Sequence, residues 1–308
     1  MKNIETIPEQ YQESLTLGKG LKIKKPEKIV FVGMGGSGFA GDVIKCLAEE
    51  KIEIEVVKDY SLPLSLTRKD LVIVASYSGN TEETLSCAEE AIERKIPMIG
   101  ISTGGKLEEL CSKFIKIPSG YQPRDALVYL VIPILNVLKE NKILSIEGYD
   151  KIFFNQKEIK TVAKDISNKM IKEIPIIYSS TRLRCLAEGT KTRINENGKI
   201  LAYSNAIPEM NHNEIVGFTE KMAELFVLII RDVEDHPRIQ KRFEITKEIV
   251  EDHGFNCVIL DTYGDSLISR VFNTLHIADW ISYYLAEQYG YEPAPVEIIE
   301  NLKKKLLN

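Results

Sequence analysis

Cysteine is sparse in this chain and never clustered. The five thiols, Cys46, Cys87, Cys111, Cys185 and Cys257, form no Cys-x-x-Cys pair, and their number is odd. That argues against a secreted disulfide framework and matches a reducing, cytoplasmic setting. Histidine is also scarce, with four residues and no His-x-x-x-His spacing, so no metal centre and no cofactor are expected. Long apolar runs are missing. Residues 225–230 form one of the longest, far short of the roughly 20 residues that a bilayer span needs. The opening MKNIETIPEQYQ lacks the apolar core of a signal peptide. There is no basic block and no low-complexity tract, and the net charge is −5. A chain of that sign has no general attraction for nucleic acid or an anionic membrane.

What is present is the material of a globular protein. Of 308 residues, 44% are hydrophobic and 28% charged, enough for one large α/β domain or two ordinary ones. Apolar runs without strict alternation recur, each followed by helical periodicity. Strands are expected at 28–33, 52–57, 71–76, 96–101 and 114–117, with helices over 37–50, 81–94, 106–111 and 124–142. Strands apolar on both faces belong to a buried parallel sheet, here doubly wound. Residues 144–154 read as a linker. A helix over 157–172 follows, then strands at 174–180, 225–231 and 257–260. Helices are expected after the first of these strands and over 238–252 and 265–289. Two domains are therefore expected, 1–145 and 146–308, the second repeating the architecture of the first with weaker glycine signatures.

Two loops carry the chemistry of the first half. Gly33-Met34-Gly35-Gly36-Ser37-Gly38 follows the first strand and opens a helix. Glycine lets the backbone approach a ligand, and the helix start offers free N–H groups and a positive dipole end to an anion. Gly33, Gly35 and Gly38 also satisfy Gly-x-Gly-x-x-Gly, with Glu55 or Asp59 available for a ribose. Alone, this loop fits a dinucleotide, a phosphosugar or a structural turn. The second loop is Ser76-Tyr77-Ser78-Gly79-Asn80-Thr81-Glu82-Glu83. Helix capping by Ser78 or Asn80 explains one polar side chain per helix start. The three hydroxyls of Ser76, Ser78 and Thr81 exceed that and point to a phosphate. Open α/β sheets bind ligands outside the carboxyl ends of their strands. Gly35, Gly36, Ser37, Ser76, Ser78 and Thr81 are thus expected on one crevice.

Together GMGGSG and SYSGNTEE resemble the sugar isomerase (SIS) domain family. The whole chain is similar to the bifunctional phosphoglucose/phosphomannose isomerases. Pro123-Arg124-Asp125-Ala126, Asn195-Glu196-Asn197-Gly198-Lys199 and Pro208-Glu209-Met210-Asn211-His212-Asn213-Glu214 carry the likeness further, as does the segment from Pro295-Val296-Glu297 to Leu302-Lys303. The resemblance implies two flavodoxin-like SIS subdomains. It implies a metal-independent isomerase of glycolysis and gluconeogenesis, interconverting glucose 6-phosphate and mannose 6-phosphate with fructose 6-phosphate through a cis-enediolate. It also implies a homodimer in which the neighbouring subunit contributes the ring-opening histidine.

Such a reaction needs a base, a cation for the enediolate, a ring-opening group and a phosphate anchor. Chemistry alone reads Glu196 as a solvated residue of an Asn-Gly turn, whereas the resemblance makes it the base. His212 suits ring opening because imidazole titrates near neutral pH, with a metal ligand or a core histidine as alternatives. Arg124 offers a permanent charge and several donors. It follows Pro123 at an expected helix start, where a cation is unfavourable, so pure stabilisation is a weaker explanation. Lys303 is implied as a further proton-transfer or ring-opening group. It lies beside the apolar stripe Val296, Ile299, Leu302 and Leu306, although a basic helix end needs no such role.

Three other readings compete. A non-catalytic sugar-phosphate regulator would need the loops but not Glu196, His212 or Arg124, and would carry a DNA-binding element, which is not apparent. An NAD-dependent dehydrogenase leaves the 76–81 loop unexplained. An amino-sugar phosphate isomerase or hydrolase would bring further residues for the amine or for glutamine.

Overall fold

The computed structural model describes residues 2–49 and 51–306. The chain divides into two compact units. The first holds Met1–Phe153 with Asp265–Ser269, and the second holds Phe154–Gly264 with Arg270–Asn308.

The first unit begins with two helices, α1 (Lys2–Glu5) and α2 (Ile7–Ser14). There follow β1 (Ile29–Val32), α3 (Gly35–Ala48), β2 (Ile54–Val57), β3 (Leu71–Ala75), α4 (Glu82–Glu93), β4 (Met98–Ser102), α5 (Lys106–Leu110) and β5 (Phe114–Lys116). A 3-10 turn at Pro123–Ala126 leads into α6 (Leu127–Glu140). The five strands are parallel in the order β2-β1-β3-β4-β5. This is the flavodoxin-like order, with a topological switch point between β1 and β3. Both central strands are buried throughout, which explains their unbroken Ile-Val-Phe-Val and Leu-Val-Ile-Val-Ala. Each such buried side chain stabilises the fold by about 1.5–3 kcal/mol.

The second unit contains α7 (Gln156–Met170), β6 (Ile174–Ser180), α8 (Arg184–Glu196) and β7 (Tyr203–Ile207). Two 3-10 turns, Glu209–His212 and Glu214–Thr219, precede β8 (Leu225–Arg231), α9 (Pro237–Asp252), β9 (Asn256–Asp261), α10 (Leu267–Tyr289, of which the second unit takes the part from Arg270 on) and α11 (Glu297–Leu306). Its four parallel strands run β7-β6-β8-β9, with the switch point between β6 and β8. Both units are thus doubly wound parallel sheets. No helix among the described residues is long and apolar enough to cross a membrane.

Several elements depart from the sequence expectation. α2 was not expected, because its buried face mixes Ile7 and Tyr11 with Gln10 and Ser14. Tyr11 anchors it, donating to Tyr149 O (2.9 Å) and accepting from Ile152 N–H (3.0 Å). β7 was also unforeseen. It is an edge strand whose first residues are at least partly exposed, so Tyr-Ser-Asn-Ala-Ile carries no apolar run. The helix expected over 124–142 is two pieces, a proline-led 3-10 turn and then α6. The segment expected as a linker packs Leu144, Ile146, Tyr149 and Ile152 inside, and the division falls at Phe153/Phe154 instead of at 145/146. α3 starts two residues before Ser37. Its expected end, Glu50, lies outside the described residues, as do Met1, Leu307 and Asn308 of the expected domain spans.

Candidate active site

The first switch point is built from close backbone approaches. A Cβ on Gly33 would come within 2.8 Å of Ala75 O, and one on Gly36 within 2.9 Å of Arg124 N. These glycines therefore press the first loop against β3 and against the turn carrying Arg124, whose side chain is buried. Ser37 is buried too, and its Oγ accepts the Tyr77 N–H (3.0 Å). Tyr77 in turn donates its hydroxyl to Pro118 O and accepts the Tyr121 N–H, both at 3.0 Å. Two loops and the 118–124 segment are thus tied into one body. All seven candidate phosphate-site residues lie there: Gly35, Gly36, Ser37, Ser76, Ser78, Thr81 and Arg124.

The three hydroxyls of the second loop do not act alike. Ser76 is buried, and its Oγ accepts N–H groups of Gly79 (3.1 Å) and Thr81 (3.4 Å) and pairs with Thr81 Oγ1 at 2.9 Å. It shapes the loop. Ser78 is exposed and accepts the Asn80 N–H at 3.2 Å. A third loop supports this one from behind: Thr103 donates to Tyr77 O, and Asn80 Oδ1 accepts the Lys106 N–H. Gly79 has φ +71°, and a Cβ there would fall 1.8 Å from Gly104 O. Capping by Ser78 or Asn80 does not occur. The N-cap of α4 is Thr81, which makes no side-chain cap bond, and α3 is uncapped as well. Two helix starts without side-chain caps therefore bring first-turn N–H groups and positive dipole ends to one sheet edge, a setting suited to an anion.

The second unit treats its switch point differently. Asp232, just past β8 and fully buried, receives the guanidinium groups of Arg182 and Arg270, the Thr262 hydroxyl (2.6 Å) and the Glu234 N–H (3.0 Å). Burial alone would raise this carboxyl, but these bonds outweigh burial and hold it below 3.8. Arg182 also donates to Asp235 at 3.2 Å. Here α9 is capped by its own His236, whose Nδ1 accepts the Arg238 N–H (3.1 Å).

The remaining candidates lie on three separate elements of this unit. Glu196 is the last residue of α8, half-buried, and not a loop residue as expected. Buried partners fix the turn around it: Arg193 pairs with Asp279, and Asn197 donates to Ser282 Oγ at 3.0 Å. Because α8 returns from the end of β6 to the start of β7, Glu196 sits at the amino edge of the sheet. His212 closes the 3-10 turn beyond β7 and is exposed at the carboxyl edge. The next 3-10 turn is tied to β6 and β7 by its first residue, Glu214, which accepts the Tyr178 hydroxyl (2.6 Å) and the Asn205 amide. Lys303 lies on α11, where no residue is buried. The structural roles of Tyr77, Lys199 and Asp279 were not foreseen. The first two stand inside the motifs themselves, while nothing in the sequence marks Asp279. Among the described residues no group of three or more His, Cys, Asp or Glu side chains could hold a metal ion.

Residues 157–306 match the bacterial phospho-glucose isomerase C-terminal SIS domain, and residues 22–131 match the SIS domain. A bifunctional phosphoglucose/phosphomannose isomerase of Aquifex aeolicus is 41% identical over 288 residues, 90% of each chain. The chain belongs to the bifunctional phosphoglucose/phosphomannose isomerase family. A member of this family from Thermoplasma volcanium is 38% identical over 301 residues, 96% of each chain. The family's fold extends to distant structures. The C-terminal domain of glucosamine-fructose-6-phosphate aminotransferase from Francisella tularensis has a TM-score of 0.72 at 18% identity, covering 95% of this chain and 96% of the other.

Proposed function

We propose that the protein interconverts glucose 6-phosphate and mannose 6-phosphate with fructose 6-phosphate. The observation that carries this reading is the union of both loops and Arg124 in one body, through Gly36 and the Ser37–Tyr77 bond, on a chain of this family. The loops and helix starts hold the phosphate. Glu196 takes the proton from C2 of the open-chain aldose, and the C–H electron pair becomes the C1=C2 bond. The C1 carbonyl oxygen receives the negative charge, which Arg124 offsets. Return of the proton to C1, with the O2 proton passing to O1, gives the ketose. C2 is planar in the cis-enediolate, so the two epimeric aldoses share one intermediate. Lys303 assists proton transfer or ring opening. No metal takes part.

His212 opens the ring from a second copy of the chain in a homodimer. The supporting observation is that Glu196 and His212 stand at opposite edges of one sheet. β7, which runs between those edges, has five residues, a span of about 17 Å. The five cysteines are free thiols, which supports action in a reducing cytoplasm. The test is direct: the purified protein, with EDTA present, should form fructose 6-phosphate from each aldose phosphate. Absence of product from both, with folded protein, would refute the proposal. Product from one alone would refute dual specificity.

A further inference from the structure

The turn after α8 contains an unusual lysine. Lys199 has φ +60°, a left-handed conformation uncommon outside glycine. Its Nζ lies 2.6 Å from Glu196 O, 2.9 Å from Pro293 O and 2.5 Å from Pro295 O. An ammonium has three N–H donors, and three carbonyl oxygens from two separate segments receive them. The first is the last carbonyl of α8, a helix end where a cation is favoured. The other two belong to the arm between α10 and α11. That arm leads directly into α11, whose first turn forms where Ile299 and Glu300 donate to Val296 O. α11 buries no residue, so its setting depends on the arm. On the α8 side the anchor is rigid, because the buried Arg193–Asp279 pair and the Asn197–Ser282 bond fasten that turn to α10.

We propose that Lys199 is a positioning residue for the isomerase reaction. Its ammonium clamps the 293–295 arm to the last turn of α8 and so keeps α11, with Lys303, in one setting relative to Glu196. The inference rests on the roles given above to Glu196 and Lys303. A lysine serving only the local turn would affect stability without ordering the arm. A clamp couples arm order to turnover while leaving the phosphate loops of the other unit untouched.

The test uses Lys199→Met, Lys199→Gln and Lys199→Arg in the full chain, with hydrogen exchange and steady-state kinetics side by side. Amides of residues 294 and 296–300 should exchange at least roughly tenfold faster in Lys199→Met, while those of β8 stay protected. Its kcat should fall at least about tenfold with KM for fructose 6-phosphate within about twofold, the signature of a lost catalytic setting rather than lost binding. Lys199→Gln, which keeps two donors, should fall less, and Lys199→Arg should regain part of kcat. If Lys199→Met does not fold, Lys199→Gln carries the same comparison. Unchanged exchange in the arm would overturn the proposal, and so would a loosened arm with full kcat. Failure of the underlying roles reads out separately, as full turnover by Glu196→Gln or by Lys303→Met, whatever the arm does.

Discussion

The two sheets reach the same topological situation and use it in opposite ways. At the first switch point the strand ends are followed by glycines, a buried Ser37 that ties two loops, and two helices without side-chain caps. At the second, the equivalent space is occupied by the chain's own charges, with Arg182 and Arg270 converging on buried Asp232. One edge gathers helix starts and dipole ends without side-chain caps, a setting that an anion would complete. The other fills itself with paired charges and caps α9 with His236, although its α8 start has no side-chain cap either. The duplication of architecture is therefore not a duplication of binding sites. In the second unit the proposed base, Glu196, stands at the amino edge, and the proposed ring-opening group, His212, lies beyond β7.

The comparison is sharpened most by Asp232→Asn. It removes the buried charge on which both guanidinium groups converge, while Arg182 keeps Asp235 and Arg270 keeps Glu234, so a loss of at most roughly 3–5 kcal/mol in stability is expected, measured by denaturant unfolding. The KM of the folded variant should stay at the wild-type value. A raised KM would mean that the second edge also binds substrate. Gly36→Ala should do the reverse. Its Cβ would meet Arg124 N at 2.9 Å and Pro123 O at 3.0 Å, which are backbone atoms with little freedom to yield. Strain of about 1–3 kcal/mol should appear as a KM raised by about fivefold or more, with smaller loss of stability elsewhere in the molecule. Unchanged KM would break the assignment of the first edge.

The smallest effect expected is on acid stability. The Asp232 carboxyl is held below 3.8 in the folded protein, so it contributes stability above about that pH. The contribution is lost as pH falls through the lower folded value. The fall in Tm between pH 5 and pH 3 should therefore be smaller in Asp232→Asn than in the wild type. An equal fall in both would remove Asp232 from the account of acid unfolding.

How far the sequence discloses these differences depends on their range. β1 and β3 are legible because Ile29–Val32 and Leu71–Ala75 are apolar on both faces. The two loops are legible because glycine and serine cluster within a few residues. β7 is not, since an edge strand needs no apolar run. Glu196 reads as part of a turn because Asn-Gly follows it, whereas α8 runs through Glu196, with Asn197 as its C-cap. Ser76, Ser78 and Thr81 look equivalent in sequence, yet only the fold makes Ser76 a buried brace and leaves Ser78 outside. The Arg182–Asp232–Arg270 cluster joins residues about 40 to 90 positions apart, with no local signature, because only sheet topology brings strand ends together.

In the proposed reaction Glu196 moves the C2 proton of a sugar whose phosphate is held by the 33–38 and 76–81 loops and Arg124. The most direct test is Glu196→Gln, assayed for fructose 6-phosphate formation and, by calorimetry, for sugar-phosphate binding. Turnover should fall by about 10²–10⁴-fold, the usual worth of a general base, with affinity within a few-fold of wild type. Turnover at the wild-type rate would contradict that role.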